Sequence, residues 1–145
     1  MTRTQTKVSP KQWARFQKHV VYWQVLLGLQ DWTIDFNLAD ATTCLAAGEE
    51  FRDNKGAATI AWVCSTFEHH VGTVFLREDW SQFRTGVKQD EIDKSAFHEM
   101  CHLLLSPLEQ LAESGSATRL IDVEVHRLIR VLENTFYESQ KKELQ

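Results

Sequence analysis

The chain has 145 residues, 43% of them hydrophobic and 25% charged, with a net charge of −4 and a pI near 5.8. That length suits one domain with one core over residues 1–145, and the acidic balance gives no electrostatic footprint for nucleic acid. No stretch approaches the ~18 uninterrupted apolar residues of a membrane span, and the start of the chain leads to no apolar leader segment, so no membrane partner is expected.

Residues 1–8 read as a frayed polar start. Ser9-Pro10 then opens a helix, with Ser9 as N-cap and Pro10 at the first helical position. Trp13, Phe16, Val20, Trp23 and Leu27 follow at helical spacing until Gly28 stops them. Trp32, Ile34, Phe36 and Leu38 alternate with polar residues, as a half-buried strand does. Residues 40–56, with Gly48, Asp53-Asn54 and Gly56, read as a loop or irregular strand. Two more strands are expected over 57–64 and 71–77, then a polar connection over 78–89. The remainder is helical, about 90–105 and about 117–138, broken by Ser106-Pro107 and Ser114-Gly115-Ser116. Residues 139–145 read as a frayed end. The expected fold class is α+β: an N-terminal helix, a small twisted sheet of about three strands, then two helices.

The first of those two helices carries His98-Glu99-Met100-Cys101-His102, an H-E-x-x-H sequence. Residues four apart share a helix face, so two imidazoles can reach one tetrahedral Zn²⁺ while the intervening Glu works on a water. His98, Cys101, His102 and Leu105 share one face, with Glu91, Lys94 and Ser95 further up it. Ile92, Ala96, Met100 and Leu103 form the apolar back. Asp90 with Asp93 makes a capping arrangement at the start of this helix.

A catalytic zinc takes three protein ligands and keeps one position open. No Gly or His follows in the H-E-x-x-H-x-x-G-x-x-H pattern, which excludes a metzincin. On the last helix, Glu124 falls among Ala117, Leu120, Ile121, Leu128, Val131 and Leu132, while His126 falls opposite, beside Asp122, Arg119, Arg130 and Glu133. A carboxylate on an apolar stripe is costly unless it has a partner. Glu124 is therefore favoured as third ligand, with an Arg127 ion pair and His126 as ligand as the alternatives.

On these residues the chain resembles the gluzincins, H-E-x-x-H peptidases whose third ligand is a Glu on a second helix. More narrowly, it is similar to short single-domain H-E-x-x-H proteins often found in phages and prophages. The resemblance rests on the strand from Asp31-Trp32-Thr33-Ile34, the helix His98 to Leu105 with Ser106-Pro107-Leu108, and the helix around Glu124-Val125-His126-Arg127-Leu128. It implies a minimal zincin fold, Zn²⁺ on His98, His102 and Glu124, and Glu99 as general base in peptide hydrolysis. Zincins usually add a Tyr, His or Arg donor to the oxyanion, and the candidates are Tyr137, Arg127, His69 and His70. The Asp that braces a ligand His in larger gluzincins is replaced by Leu128, which leaves Glu91 as a candidate brace. The second lobe of large gluzincins is missing, so a partner protein completing the cleft is one expectation.

Two other functions compete. SprT-like, DNA-associated proteases also use H-E-x-x-H after a small sheet, and typically supply a third His. A non-catalytic, zinc-stabilised binding module is the other, and Glu99 speaks against it. The five tryptophans read as core rather than as a base-stacking platform. Three scattered cysteines, Cys44, Cys64 and Cys101, with no C-x-x-C pair, fit a reducing cytoplasm, which is the host's if the chain is phage-encoded.

Overall fold

In the computed structural model, residues 5–40, 59–83, 85–113, 115 and 118–144 are described. Helix α1 spans Pro10–Leu26, strand β1 Thr33–Ala39, β2 Ala61–Thr66 and β3 Val71–Arg77. Helix α2 spans Gln89–Glu113 and α3 Thr118–Leu132. The fold is α+β, as composition and periodicity predict, with a three-stranded mixed sheet in the order β1-β3-β2. The expected loop over 40–56, and the first two residues of the strand expected from 57, lie almost wholly outside the described residues.

Local signals at α1 act as read. The Ser9 hydroxyl accepts from the Gln12 amide at 3.2 Å, and the Gln12 side chain accepts from the Ser9 amide at 2.9 Å. This capping box satisfies two amides at the helix start. Gly28 leaves the helix at φ +71°, a left-handed conformation that glycine adopts without steric cost. At α2 the cap differs from expectation. Glu91, not the Asp90–Asp93 pair, reaches back to the Lys88 amide at 2.6 Å. Asp93 instead takes the Arg15 guanidinium across to α1, at 2.6 and 3.0 Å.

β3 pairs parallel with β1, Thr33 opposite Val71 through Ala39 opposite Arg77, and antiparallel with β2, Ala61 opposite Leu76 through Thr66 opposite Val71. α2 packs between α1 and α3 and against β2. Its apolar back, Ile92, Ala96, Phe97, Met100 and Leu103, joins Phe16, Val20 and Trp23 of α1, Val74 and Leu76 of β3, and Val125 and Ile129 of α3 in one core. Gly72 brings α2 close to the sheet: a Cβ there would stand 3.2 Å from Leu103 Cδ2. Four of the five tryptophans are buried, and Trp13 packs against the core, so none forms an exposed stacking platform.

Three boundaries differ from the sequence reading. α2 does not stop at Ser106-Pro107 but runs on to Glu113. The Ser106 hydroxyl donates to the Leu103 carbonyl at 2.8 Å, the acceptor that the missing Pro107 N–H would have used. The described residues after α3 are helical. After α3 a π-helical turn, Glu133–Tyr137, leads into helical turns that continue to Leu144, which packs on the core. At the other end, Trp80 N donates to Thr6 O at 2.7 Å and Val8 N to Glu78 O at 3.0 Å, so residues 6–8 are tied to the segment after β3.

Candidate metal centre

His98 and His102 lie one turn apart on the front of α2, and their Nε2 atoms are 3.2 Å apart. His126 of α3 faces them, its ring centroid 6.1 Å from His98 and 5.1 Å from His102. One ligand atom from each of the three rings lies within 4.8 Å of the others.

The hydrogen bonds decide which nitrogens are available. His98 Nδ1 is 2.8 Å from Glu133 Oε1, and His102 Nδ1 is 2.9 Å from Glu109 Oε1. His126 Nδ1 is 2.9 Å from the Asp122 carbonyl oxygen. A carboxylate and a carbonyl only accept, so each Nδ1 carries the proton and donates. In the neutral rings each Nε2 is then the nitrogen left for a metal, and those of His98 and His102 already stand at hydrogen-bond distance from each other. A proton on one of the two nitrogens, or a metal ion between them, makes that contact favourable. The N···N edge of a tetrahedral zinc site with bonds of 2.0–2.1 Å is about 3.3–3.4 Å. The 3.2 Å separation of His98 and His102 fits that edge. Carboxylate or carbonyl partners on the far nitrogen are the usual way of orienting a metal-bound imidazole.

Electrostatics follow the same contacts. Burial works against a charged His102, but the Glu109 bond and the nearby Glu99 outweigh it, so His102 holds a proton more tightly than usual. Burial would raise the Glu133 pKa. The bonded His98 and the Lys94 ammonium, 3.5 Å away, reverse this and hold Glu133 below the usual carboxylate range. Cys101 is fully buried in the core, and burial pushes its thiol up, with Glu133 and Glu99 adding to the effect. It is a packed neighbour, outside the histidine cluster.

Glu124, expected beside His98 and His102, is not brought to them. Glu124 is exposed and takes the Arg127 guanidinium at 2.8 Å, which holds its carboxyl below the usual range. The reason is helix phase. The buried line of α3 runs through Val125 and Ile129, while Val123 and Val131 are about half exposed. Glu124 therefore lies on the outer side. Asp122, His126 and Glu133 occupy the flank that meets α2. The brace on His98 is Glu133, and Glu91 serves the helix cap instead.

The three histidines and Glu99 line a cleft of about 1030 Å³ between α2, α3 and β2. Glu99 itself is only 6% exposed. None of the four expected oxyanion donors lines this cleft. Tyr137 is buried against Trp23 and Phe97, with ring centroids 5.5 and 5.4 Å away. Arg127 is occupied by Glu124 on the outside of α3. His69 belongs to the 3₁₀ turn Phe67–His69, and His70, at φ +49°, stacks on Trp32 and pairs with Asp31 at 2.7 Å. Lys94 is the one Lys or Arg among the described residues lining the cleft, beside six carboxylates.

Comparison with protein families, curated proteins and solved structures returned no match for this chain. Among the described residues, no helix is long and apolar enough to cross a membrane.

Proposed function

We propose that the chain is a zinc-dependent peptidase in which His98, His102 and His126 hold the metal and Glu99 is the general base. The observation that carries this reading is the convergence of three imidazoles whose Nδ1 atoms are already bonded from behind, which leaves Nε2 of each as the nitrogen to offer a metal. Nitrogen donors in this number and geometry suit Zn²⁺, and three protein ligands leave a coordination position open. A zinc ion bound there would supply Lewis acidity, polarising a carbonyl and bringing the pKa of water towards about 7.

The chain's own residues supply the remainder. Glu99, next to His98 and lining the same cleft, takes a proton from water as its oxygen attacks the scissile carbonyl. It then passes that proton to the leaving amine. Glu133, Glu109 and the Asp122 carbonyl keep the imidazoles aimed throughout. The substrate chain lies in the cleft beside β2, whose residues from Ala61 to Ser65 line it. A purely structural site has no use for a buried carboxylate beside its ligand, which speaks against the non-catalytic binding module.

The third histidine also favours the SprT-like reading over a gluzincin, since those proteases typically supply a His in that role. The DNA partner is the weaker half of that analogy. Among the described residues, the six carboxylates and one lysine that line the cleft would repel a phosphate backbone.

The test is hydrolysis of a mixed fluorogenic peptide library by the zinc-loaded chain and by Glu99→Gln. The expected result is cleavage by the wild type and a loss on the order of 10²–10⁴-fold in a variant that keeps its zinc. A zinc-loaded wild type that cleaves nothing, or a Glu99→Gln variant as active as wild type, contradicts the peptidase assignment.

A further inference from the structure

The bond between His102 and Glu109 spans seven residues of one helix, and a proline lies between them. In an α-helix the N–H of residue 107 would bond to the carbonyl of residue 103. Proline has no N–H, its ring crowds that carbonyl, and the residue before it is pushed away from helical geometry. The sequence signal at Ser106-Pro107 is accordingly a helix end. A helix that ended there would leave Glu109 with no fixed relation to His102.

The structure contains the element that overrides this signal. Ser106 is 3% exposed, and its hydroxyl donates to the Leu103 carbonyl at 2.8 Å. The hydroxyl thus gives that buried carbonyl the hydrogen bond the proline cannot give. The helix continues through Pro107, and Glu109, two turns beyond His102, reaches its Nδ1 at 2.9 Å. We propose that Ser106 is a positioning residue for His102, acting through Pro107 and Glu109: its hydroxyl carries the helix across the proline and so keeps the Glu109 carboxylate on the imidazole. The functional consequence rests on the three-histidine reading of the metal centre. Glu109 fixes the tautomer that leaves His102 Nε2 free, so loss of Ser106 weakens metal binding without touching a ligand.

The proposal separates from a general packing role because it predicts dependence on two other residues. Zinc affinity is measured by chelator competition for wild type, Ser106→Ala, Glu109→Ala, Pro107→Ala and the two doubles that combine Ser106→Ala with each. Ser106→Ala and Glu109→Ala should each weaken zinc about tenfold, the scale of lost outer-shell partners. Their double should be no weaker than Glu109→Ala alone. Ser106→Ala/Pro107→Ala, in which a backbone N–H is restored, should bind as Pro107→Ala does. Two outcomes overturn the proposal: Ser106→Ala binding zinc as wild type does, or weakening it equally when Glu109 is already absent.

If Ser106→Ala does not fold, the Pro107 double decides. Binding at the Pro107→Ala level supports the proposal, and binding at the Glu109→Ala level refutes it. The metal-free chain gives an independent readout in the downfield Nδ1 proton of His102 by NMR. That proton should persist in wild type and in Ser106→Ala/Pro107→Ala, and be lost in Ser106→Ala and Glu109→Ala. A wild type that binds no zinc removes the three-histidine reading, while this resonance still decides whether Ser106 holds Glu109 in place.

Discussion

Histidine and carboxylate meet on two sides of helix α2, and the two sides are built to opposite ends. Towards α1, Asp93 is consumed by a two-point bond to Arg15, and His19 lies buried with Nε2 3.8 Å from the same carboxylate. His19 Nδ1 has no hydrogen-bond partner, and no second imidazole stands beside it. Around them Trp23 and Phe97 pack edge to face at 4.8 Å. Towards α3, by contrast, Glu133 and Glu109 each contact the far side of an imidazole, and the three rings converge at a cleft. The residue types are the same. The α1 side commits Asp93 to Arg15 beside a single buried imidazole, whereas the α3 side brings three imidazoles together. Convergence of several imidazoles braced from behind, rather than the presence of His and Glu, distinguishes a metal centre from a structural polar cluster.

The contrast predicts that changes on the α1 side alter stability and leave metal affinity intact. The largest effect is expected from Trp23→Ala. It removes a fully buried ring that touches Phe97 and Tyr137, and should cost about 3–5 kcal/mol in denaturant unfolding. Asp93→Ala should cost less, about 2 kcal/mol, because the Arg15 side chain is 41% exposed and can return to water. Either variant, where folded, should bind zinc as wild type does. A weakened metal site in folded Asp93→Ala would break the division between the two sides.

The smallest effect concerns pH. Burial lowers the His19 pKa, and the Asp93 charge only partly offsets this. The unfolded chain then takes up a proton that the folded chain refuses, so His19 lowers stability as pH falls below the ordinary histidine value of about 6.5. The loss continues until the pH passes the lower folded value. His19→Gln should make the fall in Tm between neutral and mildly acidic pH shallower. An unchanged slope would mean that His19 is not held neutral.

Much of the fold was legible because its signals are local. Ser9-Pro10, Gly28 and the period-two alternation from Trp32 to Leu38 each act within a few residues, and β3 falls on the expected 71–77. The front and back of α2 were equally legible, since His98, Glu99 and His102 stand against the strong apolar stripe of Ile92, Ala96, Met100 and Leu103. The third histidine was not. α3 carries a broad apolar arc, with Val123 and Val131 exposed, so its buried line could be centred near Glu124 as readily as on Val125. The polar flank Asp122, His126 and Glu133, at steps of four and seven, was visible in the sequence but read as the face turned away from the site. Pro107 misled for a different reason. Its cost to the helix is offset by one side-chain hydroxyl, a contact that turn statistics do not carry.

Zinc stoichiometry tests the central claim most directly, by elemental analysis of wild type, His126→Ala and Glu124→Ala after zinc loading and desalting. About one zinc per chain is expected in wild type and in Glu124→Ala, with a strong loss in a folded His126→Ala, beyond the roughly 100-fold weakening that follows loss of a residue behind a ligand. Full zinc in His126→Ala with loss in Glu124→Ala, or no zinc in the wild type, would contradict that claim.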